Sequence, residues 1–401
     1  MEYQSDKDMS LAIENLSKSV AKLRPFSFAR TTKRHIALLL AYNGAEYRGL
    51  ARQPRYINTI EERVIQALIH SRLIPPEILG HQTSVTRAGR TDKGVSASGN
   101  VMSVWMRSAL GVDEDSGILP FADAPSKFDN VQTTTSLVHT SELPYVVMIN
   151  QHLPPSIRIL AYSPVVPSFS AQKDAISRTY EYAFSSQGVD INRLELASRR
   201  FIGTHDFSYF TQWSKDSRSY TRTIHSIEFR VVQYGSIVSM IIAKITAPSF
   251  IWHQIRGMMT VLIRVAQGLE DEGIISMMLQ KQGCQEGSRP IFGLASPIPL
   301  TLTNVEYPPG CINWTFPHPE HVSQRFLRDV EGEKFRAVCE ARFWNSVSQK
   351  CLNTYQQPRV YDATVLHHDD QIVGALKGRH PSQNYVNIYD RPFRPWGIAV
   401  K

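Results

Sequence analysis

The sequence predicts an α+β protein built from two sheet-and-helix halves. Strand and helix patterns alternate irregularly along the chain, which favours sheets that carry their helices on one face. The pattern of the second half echoes that of the first. The chain has 401 residues, 42% apolar and 20% charged, which is enough for two to three domains with buried cores.

The first half begins with a strand at 35–42 that is apolar on both faces. Thr59 or Asn58 caps the helix that follows, because apolar residues recur at helical spacing directly after them. Next come a strand, a loop rich in Gly and Ser, and a second strand, at 84–88, 89–99 and 100–107. The sequence therefore predicts a loop that is held between two strands.

An acidic segment at 109–142 interrupts this pattern, and its Ser, Thr, Pro and Gly content indicates an insertion. Two prolines within 164–167 mark the join between the halves. Further strands are predicted at 157–162, 178–184, 220–233 and 237–246, and further helices at 192–200, 250–267 and 272–280. Beyond Pro308 the pattern weakens, and it predicts one helix, at 331–349.

The charge balance fits a polyanionic partner without identifying it. Lys and Arg number 44 against 36 Asp and Glu, a net charge of +8. The segment 109–142 holds six acidic residues against Lys127 alone, a net −5, so the rest of the chain carries +13. Most of the chain is therefore substantially basic.

Composition also excludes several classes of protein. The four cysteines form no C-x-x-C pair, and they are too few and too scattered for a disulfide scaffold, which fits a reducing compartment. No uncharged apolar run approaches the roughly 20 residues of a membrane span. The N-terminus lacks a signal-peptide pattern, and its acidic residues argue against a mitochondrial transit peptide. We expect a protein of the cytoplasm or nucleus, with the mitochondrion a less favoured compartment, and no membrane association.

The predicted loop contains the densest group of charged residues, Gly89-Arg90-Thr91-Asp92-Lys93-Gly94-Val95. A carboxylate between two cations on a tight loop is a candidate catalytic group. A nucleotide-binding loop is excluded, because Val95 stands where the phosphate-loop motif requires Lys. Taken alone, the same string also fits an Asx turn with solvated charges.

Two other segments contain candidate site residues that could act together with this carboxylate. Tyr180 and Tyr182 share one face of a strand, where an aromatic ring stacks on an unpaired base or packs in the core. Arg256 lies on an apolar helical stripe with Trp252. A cation there either pairs with a carboxylate, for which Asp92 is the candidate, or reaches solvent along its stem.

The pair His205-Asp206 is also a candidate metal or catalytic site. A helix cap or a buried hydrogen bond explains it better, because no second His or Cys stands at ligand spacing. The sequence predicts no metal site.

Together and in this order, these segments resemble the TruA family of tRNA pseudouridine synthases. The family signature G-R-T-D-x-G-V-x-A is uninterrupted from Gly89 to Ala97. Supporting blocks match at 42–53, 178–182, 201–207, 250–256 and 293–308, so the resemblance covers the chain from about 35 to 308. Gly257 departs from the pattern, since bacterial members commonly have Asn there. Lys93 and Ser96 are similar to the eukaryotic branch that modifies uridines 38 and 39 in the anticodon arm.

The resemblance implies a role for each matched residue. Asp92 is the implied catalytic aspartate, Tyr180 the ring that stacks on the flipped uracil, and Arg256 the ion-pair partner of Asp92. Arg90 is expected to fill the space that the flipped base leaves. Further contacts with RNA are expected from Lys93, Arg178, His253, Gln254 and Leu294.

The same resemblance implies a fold of two RRM-like domains with antiparallel sheets, joined side by side, with a basic catalytic cleft between them. It divides the chain into an arm, two catalytic domains and an extension, at 1–33, 34–165, 166–308 and 309–401. The acidic segment is expected to project away from the RNA. The implied partner is tRNA, and bacterial members suggest a homodimer. We expect no metal or small-molecule cofactor, because the reaction involves no net redox change, hydrolysis or energy input.

Two alternative functions stay open. The first is a multi-site synthase of the same family that acts on other tRNA positions or on small nuclear RNA. The second is a non-catalytic RNA-binding protein on the same fold. The presence of Arg90, Asp92, Tyr180 and Arg256 argues against the second, since a degenerate site would be expected to lose at least one of them.

Overall fold

The computed structural model describes residues 26–53, 58–76, 85–121, 141–211, 219–234, 238–282, 288–317 and 393–395. They form two compact units. The first contains the described residues up to Ile176 and those from Leu302 to 317, and the second contains Ser177–Thr301 and 393–395. Both units hold strands and helices, so the predicted α+β class is confirmed. The chain passes from the first unit to the second after Ile176, whereas the sequence places the join at 164–167.

Strand β1 (Thr32–Tyr42) is the centre of the sheet in the first unit. It pairs antiparallel with β3 (Ser96–Ser108) on one side, and with β4 (Ile118–Pro120) and β5 (Ile157–Pro164) on the other. The short β2 (Thr86–Arg87) pairs with β3. Four consecutive residues of β1, from His35 on, are buried, as a strand that is apolar on both faces requires.

Two helices belong to the first unit. Helix α1 (Ile60–His70) begins after Thr59, whose hydroxyl accepts a hydrogen bond from the Glu62 N–H at 3.3 Å, so the predicted cap is confirmed. Helix α2 (Tyr145–Asn150) is a short element that the sequence did not predict.

The structure differs from two predictions in this unit. Strand β3 begins at Ser96 rather than at residue 100, because Ala97 already pairs with Tyr42 of β1. Within the acidic segment, β4 pairs with the start of β1 and is therefore part of the sheet. Residues 122–140 of that segment lie outside the described residues.

The second unit is built on an antiparallel sheet in the order β6-β10-β9. Its strands are β6 (Ser177–Ser185), β7 (Gly203–Asp206), β8 (Thr221–Ile224), β9 (Ser226–Tyr234), β10 (Val238–Ala247) and β11 (Ser288–Pro290). Its helices are α3 (Ile191–Ser198), α4 (Gln254–Ala266) and α5 (Gly273–Leu279). Strand β12 (Leu300–Glu306) begins in this unit, and its residues from Leu302 on belong to the first, where the strand neighbours β3. The short β13 (Phe393–Pro395) pairs with β11.

Two elements of the second unit differ from their predicted form. The strand predicted at 220–233 is two strands, β8 and β9, interrupted at His225. The helix predicted from residue 250 begins only at Gln254, because His253 adopts the left-handed conformation with φ 66°. All thirteen residues of α4 are buried. The predicted helix at 331–349 lies outside the described residues.

The pair His205-Asp206 is half-buried and makes structural contacts, but it is neither the helix cap nor the buried hydrogen bond that the sequence predicts. The Asp206 carboxylate accepts a hydrogen bond from the Ser208 N–H at 2.8 Å and pairs with Lys281 at 2.7 Å. Cys311, the one cysteine among the described residues, is exposed and free. In the described ranges no helix is long and apolar enough to cross a membrane.

Gly257, which departs from the family pattern, is required by packing in the second unit. A Cβ at this position would lie 2.1 Å from the Phe210 carbonyl oxygen, so the backbone of Phe210 fits against α4 only because Gly257 has no side chain. Phe210 is itself fully buried and contacts the Phe201 ring edge-to-face at 5.0 Å.

A buried chain of hydrogen bonds fixes the segment that follows β5. The Nδ1 atom of His35 faces the Val166 carbonyl at 3.2 Å, so the neutral ring carries its proton there. Its Nε2 atom then accepts from the Ser103 hydroxyl at 3.1 Å. Ser103 contacts the Thr86 hydroxyl at 2.7 Å, and Thr86 accepts from the Ala171 N–H at 2.7 Å. Burial lowers the pKa of His35, so the ring stays neutral and this arrangement persists.

We expect Gly257→Ala to lower the free energy of unfolding by roughly 1–3 kcal/mol, because its methyl group cannot be placed without moving the Phe210 backbone. The gain in helix propensity, about 1 kcal/mol, is too small to offset this. Gly111→Ala is the matched control, since nothing lies within 4 Å of a Cβ at that exposed position. Urea denaturation measures both variants, and equal stabilities would contradict the packing argument.

The second prediction concerns pH. Because the pKa of His35 is lowered on folding, the unfolded chain binds more protons below about pH 6.5, and the stability contributed by neutral His35 is lost as pH falls from there. We expect the free energy of unfolding to fall by at most about 1.4 kcal/mol per pH unit through this group. In His35→Gln, the free energies of unfolding at pH 7.5 and pH 5.5 should differ by less than they do in the wild type. An unchanged difference would show that other groups cause it.

Candidate active site

The loop that joins β2 to β3, residues 89–95, is called the GRTD loop below. It contains a tight turn in which the Val95 N–H donates to the Asp92 carbonyl at 3.1 Å, and Gly94 adopts φ 83°. Only glycine adopts this φ without strain, which explains Gly94 in the signature. The Asp92 side chain is half-buried, and Arg90 and Lys93 on either side are exposed. The turn thus presents one carboxylate between two cations.

One buried amide, that of Asn100 on β3, holds the start of this loop. Its Nδ2 group donates to the Gly89 carbonyl and to the Tyr42 hydroxyl, both at 3.0 Å. Its Oδ1 atom accepts from the Gly89 N–H at 3.3 Å. The Tyr42 hydroxyl in turn contacts the Thr91 hydroxyl at 2.8 Å. Burial raises the pKa of Tyr42 to about 12, so the hydroxyl keeps its proton and remains part of this network.

A second segment, residues 43–50, supports the loop from behind. The Leu50 N–H donates to the Thr91 carbonyl at 3.1 Å, and the Gly94 N–H donates to the Tyr47 carbonyl at 3.3 Å. The two glycines of this segment allow the close approach. A Cβ at Gly44 would lie 1.9 Å from the Val95 oxygen, and Gly49 combines φ 99° with a Cβ position 2.8 Å from the Thr91 oxygen.

A buried ion pair joins α1 to the strand before the GRTD loop. The Arg87 Nε atom donates to the fully buried Glu61 carboxylate at 2.8 Å, and the Arg52 N–H donates to the same carboxylate at 2.7 Å. The sequence places Glu61 in the first turn of a helix, where acidic residues are common. It does not indicate the ion pair with Arg87.

The second unit holds the remaining predicted site residues. Tyr180 lies on β6 opposite Ile245, on the same face as Tyr182, as the alternation predicts. Tyr182 is wholly buried, whereas Tyr180 is half-buried and meets the Phe250 ring edge-to-face at 5.2 Å. Core packing therefore explains Tyr182.

Residues 248–253 form the turn that leads into Gln254, the first residue of α4, and residues 248–254 together are called the pre-helix turn below. Arg178 donates from Nη1 to the Pro248 carbonyl at 2.7 Å, and the Gln254 side chain accepts from the Ile251 N–H at 3.0 Å. Arg178 and Gln254 are both buried. Burial, reinforced by the nearby Arg256 charge, lowers the pKa of His253 to about 3, so this imidazole is neutral.

Arg256 is a buried cation whose direction is fixed. Its Nε atom donates to the Ala295 carbonyl at 2.7 Å, and one turn later the Thr260 hydroxyl donates to the Gly293 carbonyl at 3.0 Å. Only 8% of Arg256 is exposed, which excludes an arginine that extends into solvent. These two bonds also hold the half-buried Leu294 against the start of α4. Trp252 does not share the stripe of Arg256 as predicted, since it precedes the helix and is 50% exposed.

The structure therefore groups the predicted site residues in two sets. The first unit brings together Arg90, Asp92 and Lys93, and the second brings together Arg178, Tyr180, His253, Gln254, Arg256 and Leu294. Sequence reasoning did not assign roles to Tyr42 and Asn100. Asn100 could have been noticed in the sequence, because it is an amide residue within a predicted strand and is followed by apolar residues. Within the part of the chain that the structure describes, no three His, Cys, Asp or Glu side chains lie together as metal ligands would.

Comparison with known proteins identifies a family model and several relatives that are similar to this chain. A family model described as tRNA pseudouridine synthase matches residues 197–308. The human protein named tRNA pseudouridine(38/39) synthase is 34% identical over 88% of this chain and 69% of its own length. The yeast protein of the same name is 31% identical over 84% and 70%. A tRNA pseudouridine synthase A from Methanosarcina mazei is 31% identical over 70% of this chain and 86% of its own.

Similarity that extends over most of both chains, and includes the GRTD loop, defines the class as RNA-modifying isomerases. Within that class, the chain belongs to the TruA family of tRNA pseudouridine synthases.

We expect Asn100→Leu to lower kcat by tenfold or more with a smaller change in KM, because the loop backbone loses its buried partners and a displacement of about 1 Å costs about 100-fold in rate. Tyr42→Phe, which removes only one hydroxyl from the network, should have a smaller effect in the same direction. Asn304→Ala, at an exposed position on β12, is the control. Steady-state pseudouridine formation measures all three, and a pure KM effect of Asn100→Leu would contradict a positioning role.

Proposed function

We propose that this chain converts uridine to pseudouridine in the anticodon arm of tRNA, at positions 38 and 39. The observation that carries the proposal is the Asp92 carboxylate, which is half-buried on a clamped turn between two exposed cations. The names of the human and yeast relatives support the two positions. The alternative of a non-catalytic RNA-binding protein does not explain why so many buried contacts fix the Asp92 turn.

The chemistry requires a carboxylate in a fixed place. The reaction breaks the bond between N1 of uracil and C1′ of ribose, and it forms a bond from C5 to the same carbon. A proton leaves C5 and N1 gains one, so the reaction is balanced without any oxidant or reductant. Asp92 assists by attacking C1′, by adding to C6, or by stabilising charge as the base departs. Each of these routes needs an ionised carboxylate held within contact distance.

The exposed cations Arg90 and Lys93 have a proposed role in binding RNA rather than in the chemical step. The target uracil is stacked inside the arm and must be turned out before any side chain reaches its glycosidic bond. We propose that Arg90 occupies the space that the base leaves and that Lys93 binds a phosphate nearby. Both side chains are exposed on the GRTD loop, and the loop itself is held by backbone and amide contacts, so they are available to RNA without disturbing Asp92.

In the second unit we propose that Tyr180 stacks on the extruded uracil and that Arg256 pairs with Asp92. The edge-to-face contact with Phe250 fixes the plane of the Tyr180 ring, which is what a stacking surface needs. The bond to Ala295 fixes the guanidinium of Arg256, which stays charged at any physiological pH. A fixed cation keeps a partner carboxylate ionised.

The other predicted RNA contacts receive different roles. We propose that Arg178 and Gln254 position the pre-helix turn rather than touch RNA, because both are buried and each bonds to a backbone group of that turn. His253 and Leu294, which are half-buried, line the same region of the second unit. The two RRM-like domains, the cleft between them and the homodimer are proposed from the family resemblance, as is a location in the cytoplasm or nucleus.

We expect Asp92→Asn to reduce pseudouridine formation by a factor on the order of 10³ or more, while the Kd for tRNA changes by about threefold or less. The amide has the same shape but lacks the charge and the nucleophilic oxygen. Glu114→Gln, an exposed carboxylate of the same unit, is the matched control and should leave the rate unchanged. The assay uses purified protein with single transcribed tRNAs, and modified positions are mapped by sequencing. An active Asp92→Asn variant would overturn the mechanism, and modification elsewhere would favour the multi-site alternative.

A further inference from the structure

Trp252 is exposed in a way that the packing of the second unit does not explain. It lies between the buried Ile251 and the half-buried His253, and 50% of its surface is accessible. Large aromatic residues are usually well buried, and a ring left in solvent costs hydrophobic free energy. Of its two neighbours in the chain, Ile251 is buried and His253 is polar, so neither extends the exposed apolar surface of the ring.

The exposed ring is held rigidly. The Thr211 hydroxyl donates to the Trp252 carbonyl, and the indole packs on the His253 ring with centroids 4.4 Å apart and planes tilted by 33°. The next residue, His253, has φ 66°, a conformation that costs a non-glycine residue energy and persists only where the surrounding contacts enforce it. The strained residue turns the chain so that the ring before it faces outward. A rigid ring loses little conformational entropy when a ligand stacks on it.

The position of the ring relative to Tyr180 suggests its ligand. Phe250 contacts the Tyr180 ring, and the Cα atoms of Phe250 and Trp252 are at most roughly 7 Å apart. Proteins that bind unpaired nucleic acid place successive aromatic rings so that successive bases stack on them. Trp252 thus follows, by two residues along the chain, the ring that packs on Tyr180, and a base adjacent to a uracil at Tyr180 is the candidate ligand.

We propose that Trp252 is a stacking platform for an unpaired nucleotide beside the target uridine of the tRNA. The inference rests on the proposed function, because it takes Tyr180 as the ring that receives the uracil. It adds a binding residue in the pre-helix turn and predicts that recognition extends to one neighbouring base. Stacking on an indole is tolerant of base identity, so Trp252 adds affinity rather than sequence preference.

The test compares four proteins: the wild type, Trp252→Ala, Trp252→Phe and Ile191→Ala. Ile191 is the matched control, since it is 38% exposed and follows Asp190, whose N–H bonds to Ala266 at the opposite end of α4. We expect Trp252→Ala to raise the Kd for a transcribed tRNA by about 5- to 150-fold, the range measured when stacked aromatics are removed. Trp252→Phe should recover most of the affinity. For both Trp252 variants, the rate of pseudouridine formation at saturating tRNA should differ from that of the wild type by no more than about twofold.

RNA arms with an abasic residue on either side of the target uridine identify the stacked base. For one of the two arms, the difference in Kd between the wild type and Trp252→Ala should disappear. The inference is overturned if Trp252→Ala binds tRNA as tightly as the wild type, or if both abasic arms keep the full difference. It is also overturned if sedimentation shows that the variant loses affinity only because a dimer dissociates. A wild type that binds tRNA without forming pseudouridine would instead overturn the proposed function. The Kd values of the wild type and Trp252→Ala would still test the stacking role in that case.

Discussion

The place of the Asp92 carboxylate depends on one buried amide. Asn100 is almost entirely inaccessible to water, and its side chain bonds to both backbone groups of Gly89 and to the Tyr42 hydroxyl. A buried polar group without partners costs about 1–3 kcal/mol, so the loop cannot leave this position without exposing the amide or leaving it unsatisfied. The contacts that hold the loop act on its backbone at Gly89, Thr91 and Gly94, and the Arg90 and Lys93 side chains stay exposed. Rigid support and an accessible carboxylate are thus achieved together.

The second unit applies the same principle to a cation. A buried arginine requires partners, and Arg256 obtains one from the carbonyl of Ala295. That bond and the neighbouring one from Thr260 hold the segment 293–295 on α4. Gly257 permits the close approach of Phe210 to the same helix. The start of α4 is therefore the point at which the packing of the unit and the direction of its candidate catalytic cation are set together.

Much of the fold followed from local patterns. The strand at 35–42 was visible because its residues are apolar on both faces, and the cap of α1 because Thr59 precedes residues at helical spacing. The errors also had local causes. Apolar spacing continues through residues 250–253, but the chain there is a turn, because His253 is left-handed and the Gln254 side chain bonds to the Ile251 N–H. Spacing does not report a side chain that competes for a backbone donor.

The sequence by itself determined the family and the residues of the candidate site, because the glycines, charges and tyrosines of the motif blocks stand at fixed spacings along the chain. Tertiary structure alone decided which of those residues are accessible. It buried Gln254, which had been expected to contact RNA, and exposed Trp252, which had been expected to share the stripe of Arg256. It also gave Asn100 its role, through bonds to Gly89 and to Tyr42, a residue 58 positions away. Exposure and long-range hydrogen bonding depend on what the rest of the chain places nearby, and periodicity along the sequence does not contain that information.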